Sequence, residues 1–307
     1  MDYLYFKSIK GNFGDDLNPW LWPQLFNQAS ETDDRVFLGI GSILHQENEI
    51  FDLLKDKKKI VFGTGIRPSS SYTNFKMDDT WEVKFLRGPL SAVALQKRFE
   101  YITDAAYALR QLGTLDPIIR QEKKYEVSVM PYFHSVDYFD WQKICNTLGY
   151  HYISPFSERG VEYTLNEIAA SKVLITEAMH GAIVADILRV PWHRFILTTP
   201  YTEGAMISEF KWSDWLQSVG IYSPEVTYIK FYQKTRANEW IKKLSGNLVS
   251  PQFMIKSMVA NDLLKQLALP KETYLSADGL IQEIDEKIAG KVEEINKSII
   301  SGKVRIT

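Results

Sequence analysis

The 307-residue chain holds a single cysteine, Cys145, in the run WQKICNTLGY. One thiol excludes an internal disulfide and any cysteine metal cluster; it fits a reducing compartment, so a cytoplasmic location is expected. The residue reads as a small, buried apolar side chain of a helix. No uncharged apolar run approaches the roughly 20 residues that span a bilayer. The opening MDYLYFKSIKGN lacks a basic stretch followed by an apolar one, so no secretory signal is expected. Charge of one sign is missing too. Thirty-six Lys and Arg stand against 38 Asp and Glu, and a net charge of −2 gives no basic field to attract nucleic acid. The glycine turns match neither the P-loop nor GxGxxG. No His and carboxylate set has metal-ligand spacing, so neither a metal nor a cofactor is expected.

What is present is a repeated pattern. Short apolar runs at residues 3–6, 36–38, 59–62, 82–86 and 101–103 each empty into a turn rich in Gly, Asn, Asp or Arg. That repetition marks a parallel sheet whose ligand edge lies at the strand carboxyl ends. Asn18-Pro19 predicts a helix start, Asn as cap and Pro in the first turn. After a polar link at 116–124 the pattern restarts, with strands predicted at 125–130, 151–154, 173–175 and 194–198 and helices at 140–148 and 161–170. The fold class expected is therefore α/β. A first Rossmann-like half covers 1–118 and a second 119–232, with a ligand cleft between them. From 233 to 307 the signal becomes helical, in EWIKKL, MIKSMVANDLLKQLAL and GLIQEIDEKIAGKVEEINKSI. The last of these is expected to pack on a domain surface or to fray at its end.

The chain is organised around residues 172–192, KVLITEAMHGAIVADILRVPW. Val173-Leu174-Ile175 reads as a buried strand, and Ile183, Val184, Ile187 and Leu188 recur at helical spacing. His180, between Met179 and Gly181, then lies in the first turn of a helix at a strand's carboxyl end. Free N–H groups and the helix dipole favour an anion there and disfavour imidazolium, so a neutral His180 is expected. Gly11-Asn12 and Asp15-Asp16 form a ligand-approachable loop, and Gly41-Ser42 and Gly63-Thr64-Gly65 offer backbone N–H clusters for phosphate or carboxylate. Arg87, at a strand end and helix start, is the candidate anion clamp. The runs Lys57-Lys58-Lys59 and Lys123-Lys124 read as solvated faces. Aromatic side chains such as Tyr132, Trp192, Trp212 and Trp215 line amphipathic ligands such as sugar rings or fill cores, and core packing is the expected role of most of these.

GNFGDDLNPWLW, FLGIGSIL, VFGTGIR, FLRGPLS, ITDAAY and ITEAMHGAIVADILRVPW, taken in order, resemble the polysaccharide pyruvyl transferases, in particular those of bacterial exopolysaccharides such as succinoglycan. The resemblance implies a glycosyltransferase-B-like fold, with no obligatory nucleotide or metal. It implies transfer of a pyruvyl group from phosphoenolpyruvate to two hydroxyls of a glycan or lipid-linked oligosaccharide, giving a pyruvate ketal. A lipid-linked acceptor implies peripheral association with the inner membrane. Arg87 falls on the family's donor-binding arginine and His180 on its histidine. The chemistry wants an acid–base group titrating near neutrality, for which His180 is the first candidate, with Asp104 and Glu177 to deprotonate or orient the sugar hydroxyls. Where many members have Arg-Leu-His, this chain reads Ala178-Met179-His180; Arg67, Arg159 and Arg194 are the candidate replacements. The alternatives are a nucleotide-sugar glycosyltransferase contacting ribose through Glu203 or Asp186, and a non-catalytic sugar-binding protein of an assembly complex.

Overall fold

The structure, a computed structural model, describes residues 1–26, 33–45, 49–68, 75–231 and 251–304. Four strands, β1 (Asp2–Leu4), β2 (Val36–Leu38), β3 (Lys59–Phe62) and β4 (Trp81–Phe85), form one parallel sheet in that order. Five more, β5 (Tyr125–Met130), β6 (His151–Tyr152), β7 (Ser171–Thr176), β8 (Trp192–Ile196) and β9 (Val226–Tyr228), form a second parallel sheet ordered β6-β5-β7-β8-β9. Strand order reverses beside β5, so the crevice between the ends of β5 and β7 is the second half's ligand position. The helices are α1 (Phe13–Leu25), α2 (Ile50–Leu53), α3 (Pro89–Ala94), α4 (Leu115–Ile119), α5 (Trp141–Leu148), α6 (Val161–Ala169), α7 (Met179–Ile187), α8 (Ala205–Ser218), α9 (Pro251–Ala268) and α10 (Asp278–Val304). All three residues of β2 and all four of β3 are buried, as expected of strands covered on both faces. Among the described residues no helix is long and apolar enough to cross a membrane.

Three expectations are corrected. The first helix begins at Phe13, not Pro19, because Asn12 is the cap and accepts from Gly14 N at 3.1 Å. Pro19 is tolerated inside the helix. Proline leaves the carbonyl four residues back without its donor, and here that carbonyl, Asp15 O, accepts from Asn18 Nδ2 at 3.2 Å. The buried Asn18 amide also exchanges hydrogen bonds with Ile40 N and O, at 3.0 and 3.1 Å, pinning α1 to the turn after β2. The expected strand at 101–103 shrinks to one parallel bridge, Leu86 to Tyr101, because Asp104 caps a 3-10 helix over Ala105–Gln111. Lys59, read as solvated, is buried; its ammonium donates to the carbonyls of Leu54 and Lys57 at 2.8 and 2.7 Å.

Within the link at 116–124 lies most of α4, and Cys145 is buried on α5 as expected. The segment EWIKKL falls outside the described residues. Helix α10 packs rather than frays: Ile281, Ile284, Ile288, Ile295 and Ile299 form one buried stripe. It runs back over the first half, where Arg110 holds Asp285 at 2.9 Å, Lys84 reaches Glu294 at 3.1 Å and Asn296 donates to Leu25 O at 3.1 Å. Helix α9 covers the second half through Val259, Leu263 and Leu267.

Candidate active site

The carboxyl ends of the two sheets face a shared cavity of about 830 Å³. Of the residues expected at a site, Asn12, Asp15, Gly41, Ser42, Arg87, Glu177, Met179, His180 and Gly181 line it. Gly11, Asp16, Gly63, Thr64, Gly65 and Asp104 do not. Thr64 is turned to the Gly41 carbonyl, to which its hydroxyl donates at 2.9 Å. Gly65 serves indirectly. A Cβ there would sit 2.2 Å from Arg87 Nη2, so the absence of a side chain gives the guanidinium its seat.

Arg87 is buried. It spans the two halves, donating from Nε to Asp214 on α8 at 3.0 Å and from Nη1 to Ser42 Oγ at 2.5 Å. Asp214 also takes the Ser91 N–H at 2.9 Å and the Ser91 hydroxyl at 2.6 Å. One donor, Nη2, is buried and unpartnered among the described residues. A buried donor left unmade costs about 1–3 kcal/mol, so Nη2 favours any ligand that brings it an acceptor.

His180 lies where the sequence placed it, in the first turn of α7 after β7. Gly14 of α1 presses on its ring, since a Cβ at Gly14 would lie 2.1 Å from Nδ1. Gly14→Ala therefore forces the imidazole aside at the junction of two helix N-termini. The expected result is a folded protein with activity reduced by an order of magnitude or more, checked by kcat alongside the far-ultraviolet circular dichroism spectrum. Among the described residues Nε2 of His180 has no hydrogen-bond partner, and neither does Asp104 Oδ2; Nε2 stands 3.9 Å from Asp104 Oδ1. Burial, then the charges of Lys211 and Arg87, hold the imidazole down to about 3. The neutral state expected of His180 is what this environment favours, but its titration near neutrality is not.

Two carboxyls lie closer to neutrality. Burial raises Asp15 to about 7, against the pull of Lys211 and the Asn12 amide. Burial raises Asp104 to about 6, opposed by Arg87. Asp15 faces the cavity; Asp104 lies behind His180 and caps the 3-10 helix through Ala106 N at 3.0 Å. Glu177 is committed to structure. One oxygen accepts the N–H groups of Leu197, Thr198 and Thr199 at 2.9, 2.6 and 3.0 Å, and the other accepts from the Ser135 hydroxyl. It ties the ends of β7 and β8 together, and it has no oxygen to spare for a sugar hydroxyl.

Sequence reasoning missed Lys211. It projects from α8 into the cavity, paired with Glu203 at 2.6 Å, and its charge is felt by Asp15, Asp104 and His180. Nothing in EFKWSDW marks it; only the packing of α8 against α3 brings it to the site. Arg67 also lines the cavity, exposed. Arg159 and Arg194 do not: Arg159 lies outside that lining, over the Tyr163 ring, and Arg194 is buried, pairs with Glu209 at 2.6 Å and lies over Trp212 at 4.3 Å. Trp192 and Trp215 are fully buried against each other, which leaves Tyr132 and an edge of Trp212 at the cavity. Asp186, a candidate ribose contact, is buried and occupied by the Tyr107 hydroxyl at 2.7 Å and Ser276 N at 2.8 Å.

A family model for polysaccharide pyruvyl transferase matches residues 4–196, the span that carries every cavity element up to β8. Over 287 residues the chain is 32% identical to the succinoglycan biosynthesis protein ExoV of Rhizobium meliloti (strain 1021), covering 90% of this chain and 84% of that protein. A functionally uncharacterized protein of Klebsiella pneumoniae aligns over 68% of this chain and 90% of its own, at 16% identity and a TM-score of 0.39, a likeness too slight to define the fold. With the ordered turns, the cavity they enclose and a family match running from β1 to the end of β8, the chain belongs to the polysaccharide pyruvyl transferase family.

Proposed function

We propose that this protein transfers a pyruvyl group from phosphoenolpyruvate to a pair of hydroxyls on a bacterial glycan, forming a pyruvate ketal and releasing phosphate. The observation that carries the reading is the group of cationic side chains gathered at the cavity. Arg87, whose Nη2 is buried and unpartnered among the described residues, lines one cavity with the Glu203-paired Lys211, the exposed Arg67 and the N-terminus of α7. A donor bearing both a carboxylate and a phosphate needs such a set. In this reading the halves work as a glycosyltransferase-B-like pair, with residues 1–118 forming the acceptor side and part of the donor site and residues 119–232 the donor side that carries His180.

The chemistry needs a proton delivered to the methylene carbon and a sugar oxygen added to the central carbon. A second hydroxyl then displaces phosphate and closes the ring. Asp15 is the group best placed by geometry and acidity to give and take these protons, because near pH 7 its carboxyl and carboxylate forms are both populated. Neutral His180 orients the reacting atoms through a hydrogen bond, with Asp104 behind it as a positioning carboxyl. Lys211 supplies the second donor cation that Ala178 and Met179 do not.

Thermal stabilisation by phosphoenolpyruvate, set against UDP and GDP, tests the reading. A ligand at about 100 times its Kd adds about 2.7 kcal/mol to the folded state alone. Stabilisation by phosphoenolpyruvate is expected, and in Lys211→Met its affinity falls about 10- to 100-fold, the worth of one charged hydrogen bond. Stabilisation by a nucleotide and not by phosphoenolpyruvate overturns the assignment.

A further inference from the structure

A second concavity, of about 230 Å³, opens at the carboxyl end of β6, the edge strand of the second sheet. It lies along the same sheet edge as the main cavity and shares a wall with it. Pro155 faces the main cavity, while its neighbours Ser154 and Phe156 line the second. The Pro155 carbonyl accepts from Phe13 N at 2.9 Å, so the partition is anchored to the start of α1. A chain molecule held in the main cavity and crossing this rim enters the second.

The lining has the chemistry of a sugar site. Tyr152 and Phe156 are half-buried aromatic side chains, suited to the C–H face of a pyranose. Arg159 sits over the Tyr163 ring, its Cζ 3.6 Å from the centroid, a cation–π contact that holds the guanidinium without using its N–H donors. Among the described residues neither Arg159 nor the adjacent Glu158 has a hydrogen-bond or ion-pair partner, and both are exposed at the pocket. A free donor fork beside a free carboxylate suits vicinal hydroxyls, which both accept and donate. An anionic ligand is disfavoured by Glu158 and Glu167 on the same lining. The opposite wall is already closed. His151 is paired with Glu167 and stacked on Tyr125 with centroids 3.6 Å apart, so it offers a rigid face. The volume is below the roughly 300–1,000 Å³ of sites for drug-sized ligands, which suits one hexose.

We propose that this pocket is a glycan subsite, holding a sugar of the acceptor chain next along from the one modified in the main cavity. The proposal rests on transfer to a glycan, and it makes the enzyme selective for an oligosaccharide over an isolated sugar. Binding is measured by saturation-transfer NMR without donor, using oligosaccharides prepared from pyruvate-free succinoglycan, on wild type, Arg159→Gln and Phe156→Ala. The expected result is binding by wild type, weakened about tenfold or more in each variant, the loss of a little over 1.4 kcal/mol. Stabilisation by phosphoenolpyruvate stays unchanged in both variants, which shows that they fold and that the donor site is intact. Variants that bind the oligosaccharides as wild type does, or a wild type that does not bind them, overturn the subsite. If phosphoenolpyruvate fails to stabilise wild type while glycan binding depends on Arg159, the donor assignment falls and the subsite stands.

Discussion

Arg87→Ala is expected to lose donor affinity and about 3–5 kcal/mol of stability together, the cost of leaving one member of a buried ion pair alone. Asp214 is fully buried, and among the described residues its carboxylate bonds only Arg87 and Ser91. Without the guanidinium a charge stays in the interior between the halves, and α8 is pushed from its seat against α3. For a chain of this size the thermal midpoint drops by on the order of 10 °C. Calorimetry reads the stability and phosphoenolpyruvate-induced stabilisation reads the affinity. Because one substitution moves both, the double variant Arg87→Met/Asp214→Asn separates them. Removing both charges restores much of the stability, and the amide oxygen introduced at position 214 can still accept from Ser91. If donor affinity stays lost in the restored protein, Arg87 binds donor directly. Its return there would limit Arg87 to holding the halves together.

The second large effect is expected at Asp15. If it carries the proton, Asp15→Asn lowers kcat by about 10²–10⁴-fold, the usual worth of a positioned acid. Wild-type kcat/KM falls as pH rises through about 7, where the Asp15 carboxyl loses its proton. Lys211 holds that titration down, so in Lys211→Met the falling limb moves to higher pH. His180, held to about 3, contributes no limb between pH 5 and 8. A limb that survives unchanged in Asp15→Asn would assign it elsewhere. Stability carries the same signature with a definite sign. Asp15 and Asp104 sit at about 7 and about 6 in the folded protein, against about 3.9 in an unfolded chain. Between those values the folded state binds more protons, so the free energy of unfolding decreases as pH rises. Their contribution is complete below about pH 4 and is lost through pH 6 to 7. Denaturant midpoints across that range should decline in wild type and decline less in Asp15→Asn, where the Asp104 contribution alone remains; that variant also becomes the more stable protein at pH 8.

Most strands were legible because a strand buried on both faces must be a short, nearly unbroken apolar run, and few other structures require one. Val36-Phe37-Leu38 needed nothing more, whereas Tyr125–Met130 is a half-alternating run, its Glu126 exposed and its Ser128, Val129 and Met130 buried. The start of α1 was misread because Asn18-Pro19 satisfies the local rule for a helix beginning. What overrode it was nonlocal: Asn18 is held by Ile40 across the core, and its amide serves the carbonyl that Pro19 leaves free. The strand at 101–103 failed for a similar reason, since Asp104 starts the 3-10 helix before pairing can extend.

At the site, chain order alone placed His180, Arg87, Asn12 and Gly41 at strand carboxyl ends, since a parallel sheet sends each of those turns to the same edge. It also carried the family, through the order and spacing of those turns. Tertiary structure decided what each group is able to do there. Glu177 gave its oxygens to three backbone N–H groups and a serine hydroxyl, and Asp104 withdrew behind His180. Burial with two nearby cations took His180 out of the neutral range, and the same burial brought Asp15 into it. Lys211 and Asp214 entered from a helix more than a hundred residues beyond the loops they serve. Local pattern is written in neighbouring residues, whereas acidity and partnership depend on desolvation and on charges that only folding brings within a few ångströms.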